Sequence, residues 1–172
     1  SFDSYTRGNA FRQAVELARR SFPAEVVDLQ EMWGDYLMTQ KQVDMAINHY
    51  IEGRANAKAV GACLTSRQWS KAAQLLETLD GDSARPHLRT LARHHEQAGN
   101  HALAERFYVD ADAPQLAVEM YTKANRWEAA HKLASSYMSE GEVRVLYMEQ
   151  AQKMEAAGSL LEAEKLYLQV GE

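Results

Sequence analysis

The sequence predicts an all-α chain of stacked helix-turn-helix units, an α-solenoid, and three observations predict it. A cassette of a bulky residue, Ala three positions on and an apolar residue four after that recurs six times: Phe11/Ala14/Ala18, Val43/Ala46/Tyr50, Trp69/Ala72/Leu76, His101/Ala104/Tyr108, Trp127/Ala130/Ala134 and Leu160/Ala163/Tyr167. That spacing puts all three residues on one helical face, with the Ala where a neighbouring helix must come close. Successive cassette alanines are 32, 26, 32, 26 and 33 residues apart. Breakers give the phase: several turns inside the pairs carry Gly, Asn or Ser, and all three prolines fall between pairs.

Taken in order, residues 1–22 supply a lone second helix over 9–21, half of a repeat. The repeat at about 23–53 opens at Phe22-Pro23 with a helix over 24–39, turns at Thr39-Gln40-Lys41-Gln42 and closes with a helix over 42–53. The repeat at 54–80 follows Gly53-Arg54-Ala55-Asn56, with helices over 56–65 and 68–79 around the turn Thr65-Ser66-Arg67. That at 81–111 follows the run from Asp80 to Pro86, with helices over 85–98 and 101–111 around Ala98-Gly99-Asn100. That at 112–138 follows Asp112-Ala113-Pro114, with helices over 114–124 and 127–138 around Ala124-Asn125-Arg126. The last, at 139–172, follows Ser139-Glu140-Gly141-Glu142, with helices over 142–157 and 160–170 around Ala157-Gly158-Ser159. Proline is tolerated in a helix's first turn, where the N–H it lacks has no partner anyway, so Pro23, Pro86 and Pro114 mark starts of first helices. The total is about eleven antiparallel helices in five and a half repeats, with no run of the alternation a strand needs.

The period is close to that of tetratricopeptide repeats, and the second repeat resembles them best, in Trp33-Gly34-x-x-Leu37 followed by Ala46-x-x-x-Tyr50. A small residue about twelve before the cassette Ala lets the paired helices touch, which assigns Gly34 to Ala46 and places Gly61 and Ala92 near the equivalent site. The resemblance implies a right-handed superhelix. The repeat lengths alternate, and long repeats allow first helices of about four turns where short ones allow about three. The positions expected to carry the packing are Ala14, Gly34, Ala46, Tyr50, Trp69, Ala72, Ala104, Tyr108, Trp127, Ala130, Ala163 and Tyr167.

Hydrophobic residues make up 46% and charged residues 25% of the 172, the balance of a folded chain. A net charge of −5 with no Lys/Arg cluster disfavours nucleic acid and anionic membrane as partners. No apolar run approaches the length that spans a bilayer, and direct membrane insertion is not expected. The single Cys63 can form no internal disulfide, in keeping with a reducing compartment. Neither end carries a polar capping unit, so the expectation is one solenoid segment, 1–172, excised from a longer chain.

His94, His95 and His101, with Glu96 and Glu105, are the one cluster resembling metal ligands, but a helical zinc site wants His at i and i+4 and this spacing crosses Gly99-Asn100. Helix-end solvation or packing is the better account, and His49, His87 and His131 stand alone. Cys63 lies on the apolar side of a first helix, where a thiol behaves as a small hydrophobe. With no phosphate loop, nucleophile elbow or paired-His motif, no catalytic residue, cofactor or metal is expected. Trp33, Trp69, Trp127, Tyr50, Tyr108, Tyr121 and Tyr167 fall at core spacing, while Tyr36, Tyr137 and Tyr147 are the aromatics placed to reach a surface and anchor a partner helix or peptide.

The run from Glu16 to Val27 (ELARRSFPAEVV), Trp33-Gly34-Asp35, and the run from Gln42 to Glu52 (QVDMAINHYIE) together resemble the solenoid of the intraflagellar transport protein 172 family. The stretch from Met120 to Ala134 (MYTKANRWEAAHKLA) is similar to the same family. The resemblance implies a non-enzymatic scaffold segment that supports transport-train assembly and ciliogenesis, with other intraflagellar transport subunits as protein partners. It also implies a place at the cilium or flagellum and basal body, on the cytoplasmic side. The alternative is a peptide- or helix-binding tetratricopeptide adaptor of a coat or trafficking complex, since the irregular repeat lengths also resemble those of coat and adaptor solenoids.

Overall fold

The structure, a computed structural model, describes residues 2–171, with the side chains of 7–171. The chain is helical throughout: α1 (Phe2–Ser21), a 3-10 turn (Pro23–Glu25), α2 (Val26–Thr39), α3 (Val43–Glu52), α4 (Asn56–Thr65), α5 (Trp69–Leu76), α6 (Gly81–Gln97), α7 (His101–Asp110), α8 (Pro114–Lys123), α9 (Trp127–Tyr137), α10 (Glu140–Ala156) and α11 (Leu160–Gly171), with no strand among the described residues. The helices pack on their sequence neighbours from α1 to α5 and from α7 to α11, the arrangement of an α-solenoid. Two compact units divide the chain within α6, at residues 1–91 and 92–172.

One turn geometry explains most of the helix boundaries. At seven junctions a single residue takes the left-handed conformation: Lys41, Arg54, Arg67, Gly99, Asp112, Asn125 and Gly158. Around each, two backbone bonds close the preceding helix, as when Lys41 N–H donates to the Met38 carbonyl and Gln42 N–H to the Leu37 carbonyl. At six of the seven the residue after the left-handed one caps the next helix by accepting from the residue four further on, while Ala113 before α8 accepts from Leu116, three further on. In α3, α5, α7, α9 and α11 that donor is the cassette alanine itself: Ala46 to Gln42, Ala72 to Gln68, Ala104 to Asn100, Ala130 to Arg126 and Ala163 to Ser159. The cassette's bulky residue is therefore the first residue of the helix.

Three junctions are open instead, before α2, α6 and α10. Before α6, Asp80 accepts from the Ser83 N–H and hydroxyl. Before α10, Ser139 and Glu142 form a reciprocal capping box. These helices have 14, 17 and 17 residues, against 10 each for α4 and α8, which begin directly after a tight closure. The open connector and the longer first helix together account for the alternating repeat length.

The Asp80 cap also corrects the reading of Pro86. Helix α6 starts at Gly81, so Pro86 lies inside it and not in its first turn. The helix is nucleated upstream by Asp80, and Pro86 forfeits only the one backbone bond it would have donated. Likewise α1 begins well before residue 9 and runs through Gly8.

The cassette alanines line the core: Ala46, Ala72, Ala104 and Ala130 are fully buried and Ala163 nearly so, while Ala14 is half-buried. Tyr50 and Tyr108 are buried, and Trp69, Trp127 and Tyr167 half-buried. The assignment of Gly34 to Ala46 needs correcting. A Cβ at Gly34 would meet the Tyr50 ring at 2.7 Å, so the close approach is glycine against an aromatic face. Gly61 is not required by packing, since its nearest neighbour is His87 Cε1 at 3.8 Å. Gly53, read from sequence only as a breaker, is the tighter site: a Cβ there would fall 2.9 Å from the Glu31 backbone nitrogen and 3.0 Å from the Val27 carbonyl oxygen.

Candidate functional site

Tyrosine hydroxyls recur as a structural device. Tyr108 donates to Glu96 at 2.6 Å and Tyr167 to Glu155 at 3.0 Å, each reaching back twelve residues from a second helix to the first helix of its pair. Tyr50 of α3 reaches back fifteen residues to Asp35 of α2 at 2.8 Å, and Tyr121 of α8 donates to Glu105 of α7 at 2.5 Å. Burial, then the neighbouring carboxylate, pushes Tyr50 and Tyr121 up to about 12. These phenols stay protonated and serve as donors that let a ring be buried with its polar end satisfied.

In the first unit, Lys58 of α4 bonds Glu31 at 2.7 Å and Asp35 at 2.8 Å, tying α2 to α4 across Tyr50. Burial works to raise the Asp35 carboxyl, but the bonds from Lys58 and Tyr50 outweigh it and hold it below its ordinary value. Beside this network His49 stacks on Trp33 with centroids 4.0 Å apart, and Phe11 also stacks on Trp33 with centroids 6.1 Å apart. Gln30, buried, gives its amide NH2 to Glu52 at 2.5 Å and faces His49 Nδ1 with its oxygen at 2.6 Å. A carboxylate only accepts, so the amide orientation is set by Glu52 and His49 must carry its proton on Nδ1.

A recess lies in the second unit between α9, α10 and α11. A cavity of about 410 Å³ is lined by Trp127, Glu128, His131, Tyr147, Lys165, Leu168 and Gln169. A second of about 460 Å³ shares His131, Tyr147 and Gln169 and continues past Arg144, Glu140 and Met138. Tyr147 is only 3% exposed and forms the floor of both, which corrects the expectation that it stands out from the surface. Tyr137 is exposed, and Tyr36 helps line a smaller hollow with Trp33, Arg12 and Met45. The groove offers an aromatic and aliphatic floor with both signs of charge at the rim, suited to a protein side chain.

The residues with chemistry in their side chains are placed apart from this groove or built into packing. His95 stacks on Phe107 and touches His94 edge-on; burial, then the His94 charge, lowers its pKa. No three His, Cys, Asp or Glu side chains among the described residues are grouped to hold a metal ion. Cys63 is fully buried in α4, and burial pushes its thiol up, away from nucleophile character. No helix among the described residues is long and apolar enough to cross a membrane.

No family model matches the chain. Relatives do. Intraflagellar transport protein 172 of Chlamydomonas reinhardtii is 50% identical over 171 residues, 99% of this chain and 10% of that protein. The Homo sapiens homolog is 48% identical over all 172 residues, again 10% of that protein. The chain belongs to the intraflagellar transport protein 172 family. Intraflagellar transport protein osm-1 of Caenorhabditis elegans is 32% identical over 168 residues, 97% of the chain. This family member spans about a tenth of the length of those relatives, and its repeats, helix closures and groove describe that tenth alone.

Proposed function

We propose that the chain is a non-enzymatic scaffold segment of an intraflagellar transport complex subunit, acting in train assembly and ciliogenesis through protein–protein contacts with other subunits of that complex. The observation that carries this is 50% identity, over 99% of this chain, to a tenth of a protein named for intraflagellar transport, in a chain whose polar networks join helices. The repeats from 23–53 to 139–172 then act as consecutive turns of one solenoid, and the protein works at the cilium or flagellum and basal body, on the cytoplasmic side. The test is to replace this segment in the whole protein by an unrelated helical array of equal length in a ciliated cell. The expected result is a transport complex that no longer co-sediments with the altered subunit and cilia that are short or missing; normal cilia with an intact complex would overturn the reading.

A second reading, a peptide- or helix-binding adaptor, draws on the α9–α11 groove, which His131, Arg144 and Lys165 line together with Trp127 and Tyr147. Arg144→Glu with His131→Glu separates the two: an adaptor loses its ligand while a scaffold still assembles.

A further inference from the structure

Among the described residues the buried tyrosines are Tyr50, Tyr108, Tyr121 and Tyr147. The first three give their hydroxyls to the carboxylates of Asp35, Glu96 and Glu105. Tyr147, 3% exposed, is the exception: its hydroxyl meets no hydrogen-bond partner among the described residues, yet it is not sealed from solvent. The ring floors both hollows between α9, α10 and α11, so the small surface it keeps opens into that groove. Burial raises its pKa, and the phenol stays a donor at neutral pH. A donor without an acceptor at the bottom of a recess is a cost that the other three rings avoid.

The groups around it are chiefly donors. His131 and Gln169 line both hollows with Tyr147, Arg144 lies one helical turn from Tyr147 on the same face of α10, and Lys165 one turn from Gln169 on α11. Neither Arg144 nor Lys165 forms an ion pair among the described residues. Glu128 stands beside Trp127 at one end, and Glu140, about two turns from Tyr147, at the other. The centre thus holds two cations and an unpaired phenol, with one carboxylate at each end. Tyr147, Arg144, His131 and Trp127 belong to α9 and α10, and each of these helices has a helix before and after it in the chain.

We infer that this groove takes an acidic segment of a partner protein, seating one Asp or Glu carboxylate on the Tyr147 hydroxyl between Arg144 and Lys165, with the apolar neighbours of that residue against Trp127 and Val143. The carboxylate gives Tyr147 the kind of acceptor that its three counterparts find inside the fold. The occupant is a polypeptide and not a free anion, because hollows of about 410 and 460 Å³ share this floor and have aromatic and aliphatic walls that a carboxylate alone would leave uncovered. The inference rests on the second reading above, of the groove as a peptide- or helix-binding surface.

Two fluorescent pools of short peptides, apolar-rich and random except for a central Glu in one and a central Gln in the other, are titrated onto the whole protein. The expected result is that the Glu pool binds about tenfold tighter and that Tyr147→Phe takes away most of that advantage. Without peptide, hydrogen exchange of α10 in Tyr147→Phe is unchanged or slower, since no bond within the fold is lost. Tyr108→Phe, which strands Glu96, speeds exchange of α7. Faster exchange of α10 in Tyr147→Phe overturns the inference, because it reveals a partner for the hydroxyl within the same polypeptide. Acetate that displaces the Glu pool at equal concentration also overturns it, as the mark of a free-anion site. If both pools bind alike, the adaptor reading stands and only the inference falls; if neither binds, both fall.

Discussion

Gly34 and Tyr50 are in direct contact: the ring of Tyr50 occupies the space a side chain at position 34 would need, with Cδ1 and Cε1 both 2.7 Å from where a Cβ would sit. The ring cannot swing away freely, because its hydroxyl is held by Asp35 and Lys58 lies 5.8 Å above its face. Gly34→Ala is therefore expected to destabilise the first unit by about 1–2 kcal/mol despite the better helix propensity of alanine, since overpacking outweighs that gain. Chemical denaturation followed by circular dichroism measures it; an unchanged midpoint would mean that α2 and α3 do not meet at this ring.

Gly61→Ala should go the other way. It sits in the interior of α4 with only ordinary contact to His87 at 3.8 Å, so alanine adds propensity without a clash. A gain of about 0.5–1 kcal/mol is expected, seen as a melting temperature higher by about 2–4 °C. A loss of stability would show that His87 packs more tightly on α4 than that distance implies.

The left-handed turn residues make a paired prediction. Arg67 holds a φ of 60°, a conformation costly for a residue with a Cβ, whereas Gly99 holds 78° at no such cost. Arg67→Gly should stabilise by up to about 1 kcal/mol and Gly99→Ala should cost about 1 kcal/mol, both read from urea midpoints at constant slope. If the two substitutions shift the midpoint in the same direction, the shared turn geometry is wrong.

His49, His87 and His95 all have pKa values lowered below the ordinary 6.5, in each case chiefly by burial. Depressed imidazole pKa values mean that the unfolded chain binds protons more readily than the native one as pH falls below about 6.5. Stability should hold above that point and decline below it, levelling off once the pH is under the native values. Denaturation midpoints compared at about pH 7.5 and about pH 5.5 check the sign, and titration of the imidazole signals by NMR assigns it to the three residues. A midpoint that rises on acidification would contradict the burial of these rings.

Much of this fold was legible because its determinants are local. Each cassette alanine sits at a fixed step from the helix start, so one periodic signal reports packing face, helix phase and turn position together. Pro86 was misplaced because a carboxylate cap six residues upstream decides where α6 begins. Tyr147 was misplaced because its burial comes from α9 and α11, which close over it from distant positions. Gly53 looked like any breaker, yet its tightness depends on the α2 backbone passing within 3 Å of it, which local pattern does not reveal. The tyrosine–carboxylate pairs left a signal that could have been found, since Glu96 and Glu155 both stand eight residues before a cassette alanine. The groove left none, because it is shaped by the open connector before α10 and not by a motif.

The three-residue closures carry a consequence for how such a chain tolerates change in length. Because one residue ends a helix and the next begins another, a single inserted residue at Lys41, Arg67 or Asn125 would break the end of one helix and the start of the next at once. The open connectors at 77–80 and 138–139 impose no such double requirement. Insertions and deletions in the gene are accordingly expected to survive at those two places and to be purged at the closures, so that the ruler-like part of the molecule keeps its count while its joints absorb variation.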